Sequence, residues 1–288
     1  MAVALGACRG AGPPPPAALT GIDDAGDTVR LARPAARVVS LVPATTELLF
    51  ALGAGPRLVG RSRWCTAPAA AAAVPSLGDG IAPSLEAILA ATPDLVILYR
   101  STKNAQVRAR LVAAGIATVQ VTTDRLADVP RVARLLGALT GRATAGDSVA
   151  AAFDGALASL RPAGPAAHAP VRLFILQWPT PPMVAGAGSH LTELVALAGG
   201  ENVFADLSQP SAVVGIEAVA ERAPELVLSF SGREPEWVAR PEWRAVRAVR
   251  ERRIVRVPDP AFDWPGPRAL AAVPRLRAAL DSAVVAGP

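Results

Sequence analysis

The stretch SLEAILAATPDLVIL (84–98) decides the fold, because a close copy of it, GIEAVAERAPELVLS (215–229), returns 131 residues later. Each copy reads as a short helix followed by a buried strand. The match includes chemistry as well as hydrophobicity, since Glu86 falls on Glu217. The sequence therefore contains one α–β unit twice.

A second pair of similar motifs supports the duplication. TELL (46–49) returns as TELV (192–195), each shortly after an apolar strand-like run and each followed by a glycine that ends the helix. Two similar halves are therefore expected, with a cleft between them.

Strands and helices alternate along both halves, which predicts parallel βαβ units. The predicted strands are 28–31, 37–41, 58–60, 95–99, 118–121, 172–176, 226–230 and 254–257. The predicted later helices are 104–114, 129–139, 190–198, 215–222, 242–249 and a last one from about 267, which Pro274 kinks or divides.

Between the halves, TAGDSVAAAFDGALASL (144–160) is rich in alanine and lacks proline, so it predicts a connecting helix about 25 Å long. We expect an α/β protein of two parallel-sheet lobes joined by this helix. The expected divisions are an N-terminal segment 1–27, a first lobe 28–143, a connecting helix 144–162 and a second lobe 163–288.

Composition excludes several classes of protein. The chain is 51% hydrophobic and 18% charged, which excludes general disorder. Its net charge of +5 comes mainly from arginines spread along helices without interleaved aromatic residues, so no nucleic-acid partner is predicted. No run of 18 apolar residues is present to span a membrane.

Catalytic and metal-binding motifs are absent from the sequence. It contains no phosphate-binding glycine loop, no dinucleotide fingerprint and no nucleophile elbow. Its two histidines, His168 and His190, are too few for a protein-held metal site, and Ser189-His190 reads as a helix cap. We therefore predict a binding protein without cofactor, metal or catalytic residues.

The N-terminus carries a separate signal. Leu5-Gly6-Ala7-Cys8 resembles the lipobox of bacterial lipoproteins, which makes Cys8 a candidate lipidation site. The Gly/Pro-rich residues 9–16 suit a tether. Only seven residues precede Cys8, fewer than a full signal peptide needs. Either the start lies upstream or the match is coincidental.

The candidate ligand-binding residues are aromatic and polar side chains at or beyond the carboxyl ends of predicted strands, where two-lobed α/β proteins bind ligands. They are Thr45, Trp64, Tyr99, Trp178, Phe262, Asp263 and Trp264. For the aromatic residues, a place in the core or at its rim is the alternative. Trp237 and Trp243, in an arginine-rich region, are expected to pack inside.

Glu86 and Glu217 each lie in the first turn of their helices, where a carboxylate favours the positive end of the helix dipole. This effect alone would be sufficient to explain both residues. Their matched positions also place one acidic group on each half, where a partner with two basic patches would be held in register.

Several segments together resemble the class III periplasmic binding proteins of ABC importers, and most of all their cobalamin-binding branch. They are 37–53, 58–68, 83–98, 191–204, 215–228 and 264–268, and the resemblance covers roughly residues 28–282. It implies two Rossmann-like lobes joined by one long helix, with ligand held between them and little closure. It also implies that Glu86 and Glu217 meet arginines of the permease, and that Trp64 and residues 262–264 line the pocket.

The resemblance has two departures, since cobalamin binders carry a pocket tryptophan where Gly80 aligns and another near Ser211. The functional hypothesis is an extracytoplasmic, monomeric substrate-binding lipoprotein that captures a corrinoid, cobalamin first, for an ABC importer permease and its ATPase. Siderophore-iron or haem binding is the alternative within the family. An enzyme using Asp263 or His190 as acid or base is the alternative outside it.

Overall fold

The computed structural model describes residues 18–161, 169–230 and 236–285. Its strands are β1 Leu19–Ile22, β2 Thr28–Leu31, β3 Val38–Ser40, β4 Leu58–Arg61, β5 Leu95–Tyr99, β6 Ala117–Val121, β7 Val171–Pro179, β8 Pro182–Ala185, β9 Gly200–Asn202, β10 Ser211–Val213, β11 Leu226–Ser229 and β12 Ile254–Arg256. Its α-helices are α1 Pro43–Ala51, α2 Leu85–Ala90, α3 Thr102–Ala113, α4 Asp128–Leu139, α5 Ala143–Leu160, α6 His190–Leu197, α7 Ile216–Glu221, α8 Arg247–Arg250 and α9 Val273–Val285.

The N-terminal lobe is built on a four-stranded sheet in the order β4-β3-β5-β6, and every neighbouring pair is parallel. Val38 and Val39 of β3 are fully buried, as expected of a central strand covered on both faces. An antiparallel hairpin, β1–β2, precedes the sheet. The predicted parallel core of this lobe is confirmed.

The C-terminal lobe has a six-stranded sheet in the order β10-β8-β7-β11-β12, with β9 also paired to β7. Strands β7, β11 and β12 are parallel, which confirms the predicted core, and the short strand β9, which was not predicted, runs parallel to β7. Strands β8 and β10 are antiparallel additions that the sequence reading missed. They extend the sheet beyond the predicted strand β7.

The duplicated α–β unit is reproduced in the backbone. Thr92 and Ala223, at matching positions after α2 and α7, both adopt left-handed backbone, with φ of 44° and 45°. Inside the unit, Ile88 and Val219 are matching residues and both are fully buried. A left-handed residue at a helix end lets the chain turn sharply into the next strand. Both units use this turn.

An arginine holds the same helix end in each lobe. Arg37 donates to the carbonyl oxygens of Ala91 and Thr92, at 2.7 and 2.9 Å. Arg172 donates to the carbonyl oxygen of Arg222 at 2.8 Å. Basic side chains at a helix C-terminus satisfy carbonyls that have no partner within the helix. The duplication therefore includes the contacts that fix each helix to its sheet.

The expected connecting segment is helical as helix α5, whose 18 residues correspond to about 27 Å. It packs closely on α4, where a β-carbon added to Gly137 would lie 3.0 Å from the α-carbon of Gly146. At its other end, Arg277 of α9 donates to the carbonyl oxygens of Leu160 and Leu197, at 3.3 and 2.8 Å. Helix α5 is therefore held along its length by one lobe and at its end by the other.

The largest apolar cluster contains buried residues of both lobes, among them Ile97 in β5 and Leu270 near α9. A second cluster lies in the C-terminal lobe around Trp243, which stacks on Phe174 at 6.1 Å between ring centroids and meets Trp237 at 4.5 Å. Both tryptophans are buried, as the sequence predicted. The lobes are therefore joined by continuous apolar packing.

Two predicted helices differ in detail. The segment 242–249 is a 3-10 turn, Pro241–Ala245, followed by the one-turn helix α8, because Val246 between them has extended backbone. Pro274 is the second residue of α9, where a missing N–H costs nothing, so it begins the helix after the 3-10 turn Ala269–Ala272.

Candidate ligand-binding cleft

The candidate ligand-binding residues lie at or beyond the carboxyl ends of the parallel strands. The neighbouring strands of each parallel core run in one direction, so their carboxyl ends share one edge of the sheet. Trp64 follows β4, Tyr99 ends β5, Trp178 lies near the end of β7 and Trp264 follows β12. These residues therefore belong to the carboxyl edges of the two sheets.

Contacts between the lobes show that these edges meet. Asp124, just after β6, accepts a hydrogen bond through its carbonyl oxygen from the backbone N–H of His190 at 2.6 Å. Glu47, in the helix α1 that follows β3, pairs with Arg268, which follows β12, through two N–O distances of 2.9 Å. The loops of one lobe therefore lie along those of the other.

Three of the five tryptophans are exposed. Trp64, Trp178 and Trp264 have 49%, 60% and 38% of their surface accessible, whereas Trp237 and Trp243 are buried. An indole left in water forgoes the large stabilisation that its burial would give. Exposure of all three at strand ends is what a site for a broad, partly apolar ligand requires.

In the N-terminal lobe, Trp64 is part of a small cluster around Asp79. The indole Nε1–H donates to the Asp79 carboxylate at 3.4 Å, and the N–H of Ile81 donates to it at 2.8 Å. The Ile81 hydrogen bond is the main cause of a lowered pKa of Asp79. Ile81 is itself exposed. This surface combines an aromatic ring, an aliphatic side chain and a fixed negative charge.

In the C-terminal lobe, three side chains form an apolar row across the added strands. Trp178 pairs with Met183, and Met183 pairs with Val213, in the register of β7, β8 and β10. Side chains directly opposite one another in antiparallel strands lie on the same face. Trp178 and Val213 are exposed and Met183 is half-buried. This row is the counterpart of the Trp64 cluster, but it carries no charge.

Tyr99 does not offer a free phenol. Its hydroxyl donates to both carboxylate oxygens of Asp124, at 2.8 and 3.0 Å. Burial, followed by the Asp124 hydrogen bond, raises the pKa of Tyr99. Burial also raises the pKa of Asp124, while the Tyr99 hydrogen bond opposes that shift. Tyr99 is therefore neutral, and its ring edge is what it can present to a ligand.

Two predicted ligand contacts, Thr45 and Phe262, are buried and offer no surface to a ligand. The Thr45 hydroxyl donates to the carbonyl oxygen of Val42 at 2.9 Å and lies 2.7 Å from Ser40 Oγ, so it fixes the start of α1. The Phe262 ring stacks on Phe230 at 5.0 Å between centroids. Each residue follows the end of a strand, as predicted, but its side chain is buried in the protein.

Asp263 and Trp264, which follow Phe262, are both exposed. Partial desolvation raises the pKa of the Asp263 carboxyl group, and the positive charge of Arg268 opposes this. An exposed carboxylate next to an exposed indole can accept a hydrogen bond from a polar ligand edge while the ring covers an apolar one.

His190 is buried in the seam between the lobes. Its Nε2 donates to the carbonyl oxygen of Phe262 at 3.0 Å, and burial lowers its pKa, so the ring is neutral. Ser189 caps α6 through the N–H of Leu191, as the sequence predicted. The imidazole is therefore a structural group without access to a substrate.

Glu86 and Glu217 are both exposed, and each is the second residue of its helix, α2 or α7. The local difference is the cap. The hydroxyl of Ser84 accepts from the N–H of Ala87 at 3.2 Å, whereas Gly215 provides no side-chain cap.

Glu47 and Glu193 are functional candidates that the sequence reading missed. They hold arginines of the opposite lobe, and they occupy the same position in the TELL and TELV motifs. The repeat itself was the signal that could have found them. Met183 and Val213 were missed because the strands that carry them were missed.

Cys8 and His168 lie outside the described residues. Cys65 is a free, buried thiol whose Sγ lies 3.1 Å from Ser62 Oγ. Across residues 18–161, 169–230 and 236–285, there is no group of three or more His, Cys, Asp or Glu side chains placed to hold a metal ion. None of the helices described there is long and apolar enough to cross a membrane.

A family model described as periplasmic binding protein matches residues 38–261. The vitamin B12-binding protein of Pectobacterium carotovorum subsp. carotovorum (strain PC1) is 28% identical over 243 residues, covering 83% of this chain and 86% of that relative. Among solved structures, the periplasmic vitamin B12-binding protein BtuF of Vibrio cholerae superposes with a TM-score of 0.73 at 27% identity, over 87% of this chain and 98% of that one. The periplasmic heme-binding protein RhuT from Roseiflexus sp. RS-1 gives 0.72 at 26% identity, over 86% and 98%.

Proteins of this kind are extracytoplasmic, non-enzymatic binding proteins that serve importers with a small-molecule ligand and carry no cofactor of their own. Because the family model spans well over half of the sequence, the chain belongs to the periplasmic binding protein family.

Proposed function

We propose that this protein captures a corrinoid, with cobalamin as the first candidate, between its two lobes and delivers it to an ABC importer. The observation that carries the proposal is the exposure of Trp64, Trp178 and Trp264 at carboxyl edges that meet along one seam. Three indoles provide the flat apolar area that a corrin ring needs, and Asp79 and Asp263 provide acceptors for its amide edge. Two of the named relatives, from Pectobacterium carotovorum and Vibrio cholerae, are vitamin B12-binding proteins and support the same ligand, whereas RhuT, a heme-binding protein, supports the alternative.

The chemistry of the described residues favours a corrinoid over haem. Haem iron is usually held by an axial His, Cys, Met or Tyr. In the described part of the chain, the imidazole of His190 and the phenol of Tyr99 are both committed to protein hydrogen bonds, and Cys65 is buried. Met183, in the apolar row, is the residue of this kind that a haem ligand would have to use.

The test is a titration of the purified chain with cyanocobalamin, haemin and a ferric hydroxamate. Binding is monitored by tryptophan fluorescence and by calorimetry. We expect micromolar or tighter binding of cyanocobalamin and at least tenfold weaker binding of the other two. Trp178→Ala should weaken cobalamin binding about tenfold or more, equal to about 1.4 kcal/mol.

The matched control is Val112→Ala, which removes an exposed apolar side chain near the end of α3, away from the carboxyl edge. It should leave affinity unchanged. Absence of binding by cyanocobalamin at micromolar concentration would reject the ligand, and tighter binding of haemin would replace it with the alternative.

In the same proposal, Glu86 and Glu217 are the docking residues, one on each lobe, and they meet basic groups on the permease. Each is an exposed carboxylate at the second position of a matching helix, so together they present two equivalent charges. The expected divisions place the lobes at 28–143 and 163–288, with 144–162 between them. Lipidation of Cys8 would anchor the chain at the membrane, and mass spectrometry of the protein from its host tests this.

A further inference from the structure

Glu47 and Glu193 make matching contacts across the seam. Glu47, in α1, is 7% exposed. Its carboxylate accepts hydrogen bonds from both Nε and Nη2 of Arg268, each at 2.9 Å. This two-point geometry fixes the direction as well as the distance between the groups. Gly266 makes room for it, because an added β-carbon there would lie 3.0 Å from Glu47 Oε2.

Glu193, in α6, makes the reverse contact. Its Oε1 accepts hydrogen bonds from Nε and Nη2 of Arg125 at 2.9 and 2.6 Å. Its Oε2 accepts one from the backbone N–H of Leu126 at 2.7 Å. The carboxylate therefore holds both the side chain and the backbone of the opposite lobe. The backbone contact leaves little freedom for the loop after β6 to slide.

The two contacts are crossed copies of one another. Each glutamate lies in the helix that leads away from the first strands of its own lobe, and each arginine follows the last parallel strand of the other lobe, β6 or β12. The arginine segments are also related, since both lead into a helix through Val-Pro-Arg, at 129–131 and at 273–275. The duplication has therefore produced two symmetric ion pairs at one seam.

A crossed pair constrains the lobes more than a single contact does. One ion pair permits rotation about itself, whereas two pairs at separate points oppose both opening and twisting. In each pair the arginine donates two charge-assisted hydrogen bonds to the glutamate. Because Glu47 is buried, loss of its partner would leave a buried charge without compensation. The hydrogen bond between His190 and Asp124 lies in the same seam.

We infer that Glu47 and Glu193 are positioning residues that set the spacing and twist of the two lobes, and through them the grip on the ligand. This inference rests on the proposed function only for its effect on ligand affinity. The spacing is built into the ligand-free protein, so ligand capture needs little closure. Glu47–Arg268 and Glu193–Arg125 are called the crossed clasps below.

The experiment measures the distance between the lobes without ligand, by electron–electron double resonance. Spin labels are placed at Val112→Cys near the end of α3 and at Glu221→Cys at the end of α7, both exposed, in a Cys8→Ser background. Buried Cys65 stays unlabelled. The parent should give one narrow distance distribution that cyanocobalamin leaves in place.

In the double variant Glu47→Gln with Glu193→Gln, the distribution should broaden at least twofold, and cyanocobalamin affinity should fall at least tenfold. Glu201→Gln, which neutralises an exposed carboxylate in β9, is the control and should change neither quantity. The reversed pair Glu47→Arg with Arg268→Glu should restore a narrower distribution than Glu47→Arg alone, which a general loss of stability does not predict.

If the double variant does not fold, Arg268→Lys replaces it, because lysine keeps the charge but loses the fork. A distribution that stays as narrow as that of the parent would overturn the inference, whatever happens to affinity. A broadened distribution in a protein that binds no cobalamin would keep the crossed clasps and reject the corrinoid.

Discussion

The N-terminal and C-terminal lobes share one α–β unit and differ in what surrounds it. Both have a buried apolar residue at the same place in the helix, Ile88 or Val219, and both end that helix with a left-handed residue. The N-terminal sheet stops at four parallel strands. The C-terminal sheet adds antiparallel β8 and β10 and an aromatic cluster around Trp243.

The features that stayed alike are those that hold the scaffold and join the lobes. The features that diverged lie at the carboxyl edges, where Trp64 sits beside a charged Asp79 on one lobe and Trp178 sits in an uncharged row on the other. A ligand between them would meet a polar face and an apolar face. The comparison therefore separates a common frame from two specialised surfaces.

The largest expected effect comes from reversing the charge of both proposed docking residues. Glu86→Arg together with Glu217→Arg should abolish stimulation of the importer ATPase, because both charges facing the basic groups are reversed. Ligand affinity should stay within twofold of the parent. The measurement is ATP hydrolysis by the reconstituted permease and ATPase with and without the binding protein.

Glu221→Arg is the control, since it makes the same charge change at the far, exposed end of α7. It should preserve stimulation. Equal stimulation by the parent and the double variant would show that these glutamates have no docking role.

The second effect tests the matching cores. Ile88→Ala should lower the free energy of unfolding by about 2–4 kcal/mol, since large-to-small changes at buried sites lose transfer energy and leave a cavity. Val219→Ala should cost less, by about 0.8 kcal/mol for the methylene that valine lacks. Urea denaturation followed by circular dichroism measures both.

Because one apolar cluster runs through both lobes, each variant should unfold in a single transition. Two separate transitions, with only one shifted by each variant, would contradict a shared core.

The third effect concerns His190, which is buried in the seam between the lobes. The N-terminal lobe has no matching histidine. The pKa of buried His190 lies below its ordinary value, so below about pH 6.5 the unfolded chain binds a proton that the folded chain excludes. The contribution of this histidine to stability is therefore lost as pH falls from about 6.5 towards the folded pKa, by at most about 1.4 kcal/mol per pH unit.

His190→Gln keeps a donor for the carbonyl oxygen of Phe262 and removes the titration. The difference in unfolding free energy between parent and variant should therefore shrink between pH 7.5 and pH 5, where Asp124 and Asp263, whose pKa values are raised, act equally on both proteins. A difference that does not depend on pH would mean that His190 does not titrate in this range.

The smallest expected effect comes from changing the N-terminal cap residues of α2 and α7. Ser84→Ala removes the acceptor for the N–H of Ala87 and should cost about 1 kcal/mol. Gly215→Ser adds such an acceptor and should gain a few tenths of a kcal/mol. Thermal and urea unfolding of both variants would sharpen the comparison, and a gain at Gly215 as large as the loss at Ser84 would contradict this ranking.

The sequence predicted most of the parallel core and the helix α5, because these depend on apolar runs, proline and glycine. It missed β8 and β10, since PMVA and SAV are three or four residues long and carry no clear alternation. It also misplaced Thr45 and Phe262. Position after a strand selects the loop, but the direction of each side chain is set by tertiary packing that local sequence does not encode.

The crossed clasps show the same limit of prediction from local sequence. The TELL and TELV motifs revealed that Glu47 and Glu193 are related, yet nothing near them identified the arginines that they hold. Those partners are more than 60 residues away in one case and more than 200 in the other. Repeats indicate which positions correspond, whereas contacts between lobes require the fold.

Gly80 limits which side chains can line the candidate cleft. A β-carbon at this position would lie 2.3 Å from the carbonyl oxygen of Leu41, so no larger residue enters without moving the backbone. The tryptophan that the sequence resemblance implies at this place would therefore require the backbone near Leu41 to move. Drift in ligand preference has an easier route through the β7–β8 hairpin, where exposed side chains can be exchanged without disturbing the main chain.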